Sequence, residues 1–103
     1  MEKSDLLSKK DIYERQAEIC SAFSHPIRLQ IIDLLQEGKM NCTEILDVLK
    51  IPKPNLSQHL NVLKRARLVG CEKKGLFQLY FLTNPEIKTA CTQLKEVLIN
   101  EAN

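Results

Sequence analysis

Lys53-Pro54-Asn55-Leu56-Ser57-Gln58-His59-Leu60-Asn61-Val62-Leu63-Lys64-Arg65 is the stretch on which the reading of this chain turns. Leu56, Leu60 and Leu63 recur at spacings of four and three, and Arg67 or Leu68 extends the series, which is the period of a helix with one buried face. Pro54 lacks an N–H and suits a first helical turn, so the helix is predicted from Pro54 to about Leu68. Opposite the leucines stand Gln58, Asn61 and Arg65, flanked by Asn55, Ser57 and Lys64. The amides of Gln58 and Asn61 pair a donor with an acceptor, as reading a base edge requires. Lys53, Lys64 and Arg65 carry the charge that neutralises phosphates.

Upstream, Thr43 to Leu49 predicts a short helix with Ile45, Leu46 and Leu49 inward, broken by Ile51-Pro52-Lys53-Pro54. Downstream, the β-like runs Val69–Glu72 and Phe77–Leu82 flank Lys73-Lys74-Gly75-Leu76, predicting a hairpin with a basic, glycine-containing tip. Lys73 and Lys74 are expected there to straddle a phosphate backbone or minor groove. Two helices joined by a tight turn, the second polar outside and followed by a basic hairpin, form the layout of a winged helix-turn-helix.

Further out, Ile12, Ile19, Cys20 and Phe23 predict a first helix over Asp5–Phe23 with one buried stripe. A second starts at Pro26, capped by Ser24 or His25, buries Ile27, Ile31, Leu34 and Leu35, and stops at Glu37-Gly38-Lys39 with glycine as a left-handed cap. Asn84-Pro85-Glu86 opens a last helix with the stripe Ile87, Cys91, Leu94 and Leu98. The expected order is α-α-α-α-β-β-α, mainly helical with a small β-hairpin wing.

Composition agrees. The 103 residues fit a single domain, residues 1–103, and 44% hydrophobic with 27% charged residues is globular usage. The net charge is only +2, but residues 50–78 hold seven Lys and Arg against the single acid Glu72, while the flanking segments are net acidic. That asymmetry is the footprint of a phosphate-binding face. The amino terminus mixes charged with apolar residues and has no long apolar run, so a cytoplasmic chain without a membrane partner is expected, its four cysteines reduced. No glycine-rich phosphate loop or Ser/His/Asp elbow suggests an enzyme. A winged helix serving as a protein-interaction module, or a constitutive DNA binder with no inducer site, is the other reading; the polar face favours DNA over protein docking, which would call for exposed aromatics.

Ser24-His25-Pro26-Ile27-Arg28-Leu29, Asn55 to Leu63, and Leu68-Val69 together resemble the ArsR/SmtB family of metal- and redox-responsive repressors, over about residues 17 to 98. The resemblance implies a homodimer joined through the first and last helices that releases double-stranded operator DNA when an inducer binds. The family's inducer sites do not transfer. Its paired thiolates on the third helix fall on Asn41 and Thr43, either side of Cys42; the last helix, from Asn84 to Asn100, has Glu86 and Glu96 but no histidine; and the positions of its persulfide-sensing pair are Asp33 and Ile99. No metal site is assigned, and His25 and His59 are read as structural. A thiolate-bound metalloid or metal, or a disulfide, is left to Cys20 and Cys91, on the helices expected at the dimer interface; Cys42 and Cys71 have no partner evident in the sequence.

Overall fold

The structure, a computed structural model, describes residues 9–102. Its order is α1 Lys9–Ala22, α2 Pro26–Leu35, α3 Cys42–Leu49, α4 Lys53–Arg65, β1 Val69–Lys74, β2 Phe77–Leu82 and α5 Pro85–Ala102. The expected order is therefore realised; the part of the predicted first helix before Lys9 lies outside the described residues. The core is Ala22 from α1, Ile31, Ile32 and Leu35 from α2, Ile45 from α3, Leu56, Leu60 and Leu63 from α4, Ala66 and Leu68 from the turn after it, Val69 and Tyr80 from the wing, and Cys91 from α5. The leucine stripe of α4 is thus what fixes it to the rest of the molecule.

Local chemistry sets the helix ends. The His25 ring, not Ser24, caps α2, accepting from Ile27 N at 3.1 Å. Asn41 and Glu44 form a reciprocal capping box that starts α3 one residue earlier than expected, at Cys42. Lys50 ends α3 with φ 54°, and Pro52 at ψ 140° turns the chain straight into α4. Gly38 lies three residues past α2 at φ 141°, so it serves the connection and is not the helix cap.

Two sequence expectations are corrected, one at the end of α4 and one in the wing. The helix stops at Arg65 and not near Leu68, because Arg67 takes φ 61°. Leu68 N then donates to Leu63 O at 3.0 Å and Arg67 N to Lys64 O at 2.9 Å. This is the double bond pattern of a Schellman cap, here without glycine. In the wing, Lys73 and Lys74 are strand residues paired with Gln78 and Phe77; the tip is Gly75-Leu76 alone. Gly75 at φ 63° heads a two-residue hairpin turn of the class with glycine first.

The wing is tied to the body by a contact absent from the local pattern. Met40 and Tyr80 exchange backbone bonds of 3.1 and 2.8 Å, making the α2–α3 connection a stub of third strand. Gly70 faces Phe81 across the ladder, and a Cβ there would sit 2.6 Å from the Phe81 ring, so the ring lies where only glycine leaves room.

Candidate nucleic-acid interface

Helix α4 positions the candidate face by burying its other side. With Leu56, Leu60 and Leu63 closed off, Lys53, Asn55, Ser57, Gln58, Asn61, Lys64 and Arg65 are all left exposed. Gln58, Asn61 and Arg65 fall at i, i+3 and i+7 and line one groove of about 290 Å³ with Arg28, His59 and Val62. Lys73 and Lys74 are exposed on β1, but strand alternation sends them to opposite faces of the hairpin. They do not form the basic tip that the sequence suggested; the tip side chain is Leu76, 97% exposed.

The groove contains a residue that sequence reasoning left unassigned. Arg28 donates from Nε to Ala22 O at 2.7 Å and from Nη2 to Ser21 O at 3.4 Å, placing a guanidinium on the carbonyl end of α1. Its Nη1 lies 3.5 Å from His59 Nδ1. Arg28 was visible in the Ser24–Leu29 motif, but only the fold shows that it links α1 to α4. Arg15 makes a second link, donating to Ala66 O at 2.7 Å just beyond the end of α4.

The rings of His25 and His59 meet at 4.3 Å between centroids, tilted by 48° to one another. Desolvation, then the neighbouring His25 and Arg28, pushes the His59 imidazole below its ordinary value. The folded state therefore favours neutral His59, and the unfolded chain binds the extra proton first. Stability from this site is complete above the unfolded value of 6.5 and is lost as pH falls below it toward the lower folded value. We expect the urea midpoint to drop between about pH 7.5 and 5.5, with a smaller drop in His59→Gln. Equal drops in the two proteins would assign the pH dependence to other groups.

The thiols are dispersed. All four cysteines are free; Cys20, expected on a buried stripe, is exposed in the protomer, whereas Cys91 is 6% exposed. Cys91 lines an apolar groove of about 270 Å³ between α2 and α5, with Leu29, Asp33, Leu94, Lys95, Val97 and Leu98, and Cys20 does not reach it. An ion pair between Lys95 and Asp33 borders this groove. Among the described residues, no cluster of three or more His, Cys, Asp or Glu is arranged to hold a metal ion. Nor is any described helix long and apolar enough to cross a membrane.

A polar, cation-flanked helix held on a leucine stripe, preceded by a tight turn and followed by a two-stranded wing, defines a winged helix-turn-helix transcription regulator. Residues 25–70 match the model of the bacterial regulatory protein family arsR. An uncharacterised HTH-type transcriptional regulator of Methanocaldococcus jannaschii is 44% identical over 77 residues, 74% of this chain and 86% of that protein. The chain belongs to the ArsR family. The transcriptional repressor PagR of Bacillus anthracis, 31% identical, has a similar structure with a TM-score of 0.72 over 80% of this chain and 94% of its own. A homodimeric winged helix-turn-helix DNA-binding domain of Mycobacterium bovis shares the fold at a TM-score of 0.84, covering 99% of this chain and 91% of its own at 22% identity. The family and these neighbours are regulators of transcription, not enzymes.

Proposed function

We propose that this chain is a cytoplasmic, sequence-specific repressor that binds double-stranded operator DNA as a homodimer, one winged helix-turn-helix domain per chain with α1 and α5 forming the dimer contact. The observation that carries the reading is the exposed row Gln58, Asn61 and Arg65 on a helix whose opposite side is core. Gln58 and Asn61 would contact base edges, with Asn55 and Ser57 beside them; Lys53, Lys64, Arg65, Lys73 and Lys74 would hold phosphates.

Dimerisation is supported by α5, where Leu94, Val97, Leu98 and Ile99 are all more than half exposed, and by the exposed Tyr13 of α1. The homodimeric M. bovis neighbour supports it too. PagR, a repressor, supports repression as the outcome of binding. Release by a thiophilic metalloid, metal or oxidant at Cys20 and Cys91 would act through those same helices. Arg15 and Arg28 supply the route from α1 to α4.

The test is a pair of alanine variants measured on two DNAs. Gln58→Ala and Asn61→Ala are each expected to lose roughly 1–3 kcal/mol on the operator and little on random duplex. Equal loss on both DNAs would mean that these residues do not read bases.

A further inference from the structure

We propose that the groove between the end of α2, the base of the wing and the start of α5 is a binding site for a small aromatic carboxylate, with its acid group on Gln36 and Lys88 and its ring on Phe81. The groove holds about 280 Å³, at the low end of small-molecule sites, which suits a single ring with a short acid arm. It contains no residue of α4, and Leu82 ends the hairpin opposite the Gly75-Leu76 tip, so the site lies apart from the candidate DNA face. Cys91 and Leu94 line a different groove, farther along α5.

Gln36 sets the need for an acceptor. Its Nε2 is closed off from solvent and has no hydrogen-bond partner, the one such side-chain atom among the described residues. A buried donor left unpaired destabilises the free protein, and an oxygen supplied by a ligand removes that cost. Lys88 sets the sign of the charge. It stands fourth in α5, where the helix end disfavours a cation, and no described residue pairs with it. Glu86, two positions away, faces another side of the helix, whereas Pro85, three positions away, lines the groove beside Lys88. The backbone end of α5 is already occupied: Glu86 N donates to Asn84 Oδ1 at 2.8 Å and Ile87 N to Asn84 O at 3.1 Å. An anion is therefore left to the side chains.

The apolar wall is held in place. The Phe81 ring occupies the space that a Cβ on Gly70 would take, and Lys39 Nζ stands 5.5 Å from its centroid while paired with Glu72 at 2.6 Å. Lys39 thus adds a second, fixed cation to the groove, and Leu35, Leu82 and Pro85 complete its apolar side. An inorganic anion would leave that side uncovered, and a neutral ring would leave Lys88 unanswered. A flat ring suits Phe81 better than an alkyl chain, since paired aromatic rings gain more than the area they bury.

The experiment is an NMR titration of the full chain, without DNA, with cinnamate, cinnamamide and acetate, so its result does not depend on the proposed function. We expect saturable cinnamate binding with a dissociation constant below about 1 mM, weaker binding of the neutral amide and none of acetate. Amide shifts should appear at Gln36, Lys39, Phe81 and Lys88. Lys88→Gln, an exposed change that leaves the core intact, should weaken cinnamate about fivefold. Gln36→Leu should weaken it about tenfold and yet raise the melting temperature of the free protein, because the unpaired donor is gone. A glutamine with a purely structural role would lower it. Shifts confined to Leu29, Cys91 and Leu98 would place the ligand in the other groove and overturn the site. So would unchanged cinnamate affinity in both variants, or no saturable binding below about 1 mM. Equal affinity for cinnamamide would overturn the carboxylate, and a lower melting temperature in Gln36→Leu would overturn the role of its amide.

Discussion

Operator affinity is expected to fall about a thousandfold or more between roughly 50 and 200 mM salt. Each protomer exposes Lys53, Lys64 and Arg65 on or at the ends of α4 and Lys73 and Lys74 on β1, so a dimer brings enough cations for six or more phosphate contacts. Each contact releases condensed counterions, and the logarithm of affinity then falls with the logarithm of salt at a slope near −0.9 per phosphate. Because Lys73 and Lys74 point to opposite faces of the hairpin, only one per protomer faces a given groove. The double change Lys73→Ala and Lys74→Ala should therefore reduce the slope by about two in a dimer, not four. It should weaken operator and random DNA alike, whereas Gln58→Ala should leave the slope unchanged. A salt titration by fluorescence anisotropy checks all three. An affinity that does not move with salt would remove the electrostatic basis of the reading.

Changing Leu94 and Leu98 together to Glu should convert the protein to a monomer at micromolar concentration and lower operator affinity by more than about a hundredfold. Both side chains are more than half exposed in the protomer, so charges there leave the core of Ile31, Leu56 and Leu63 untouched. In a two-fold dimer the same substitution meets its own copy, placing four carboxylates in an apolar contact where each would be desolvated. The affinity loss follows because a linked second half-site contributes roughly two to four orders of magnitude without new contacts, and a monomer forfeits it. Sedimentation with circular dichroism gives the check. A dimer that persists would place the interface elsewhere; a folded monomer with full affinity would show that one copy reads the operator unaided.

The wing shows most clearly where sequence reading stopped. Two alternating runs around a glycine were enough to place a hairpin, yet the lysines assigned to its tip sit within the ladder because the turn takes only Gly75 and Leu76. The end of α4 escaped for a related reason. Arg67 in a left-handed conformation carries no compositional mark, since glycine is the usual signal there. Arg28 stood within a recognised motif, but its role depends on carbonyls of Ser21 and Ala22 and on a ring in α4. Cys71 lacked a sequence neighbour, and only the strand register sets it opposite Tyr80, with its thiol on Gln78.

The sequence by itself determined the order of elements, the buried leucine face of α4 and the polar row opposite it. Those follow from helical and strand periodicity, from prolines with fixed φ and from charge clustered in one segment, all set by residues within a few positions of one another. The tertiary structure alone decided which side chains from distant elements meet: Arg28 on His59 and Arg15 on the end of α4. It also decided that Leu94 and Leu98, though periodic with the buried Cys91, stay uncovered in the protomer. The physical reason is that periodicity fixes which side of a helix is apolar, whereas what covers that side depends on packing between elements far apart in the chain, or on a second chain.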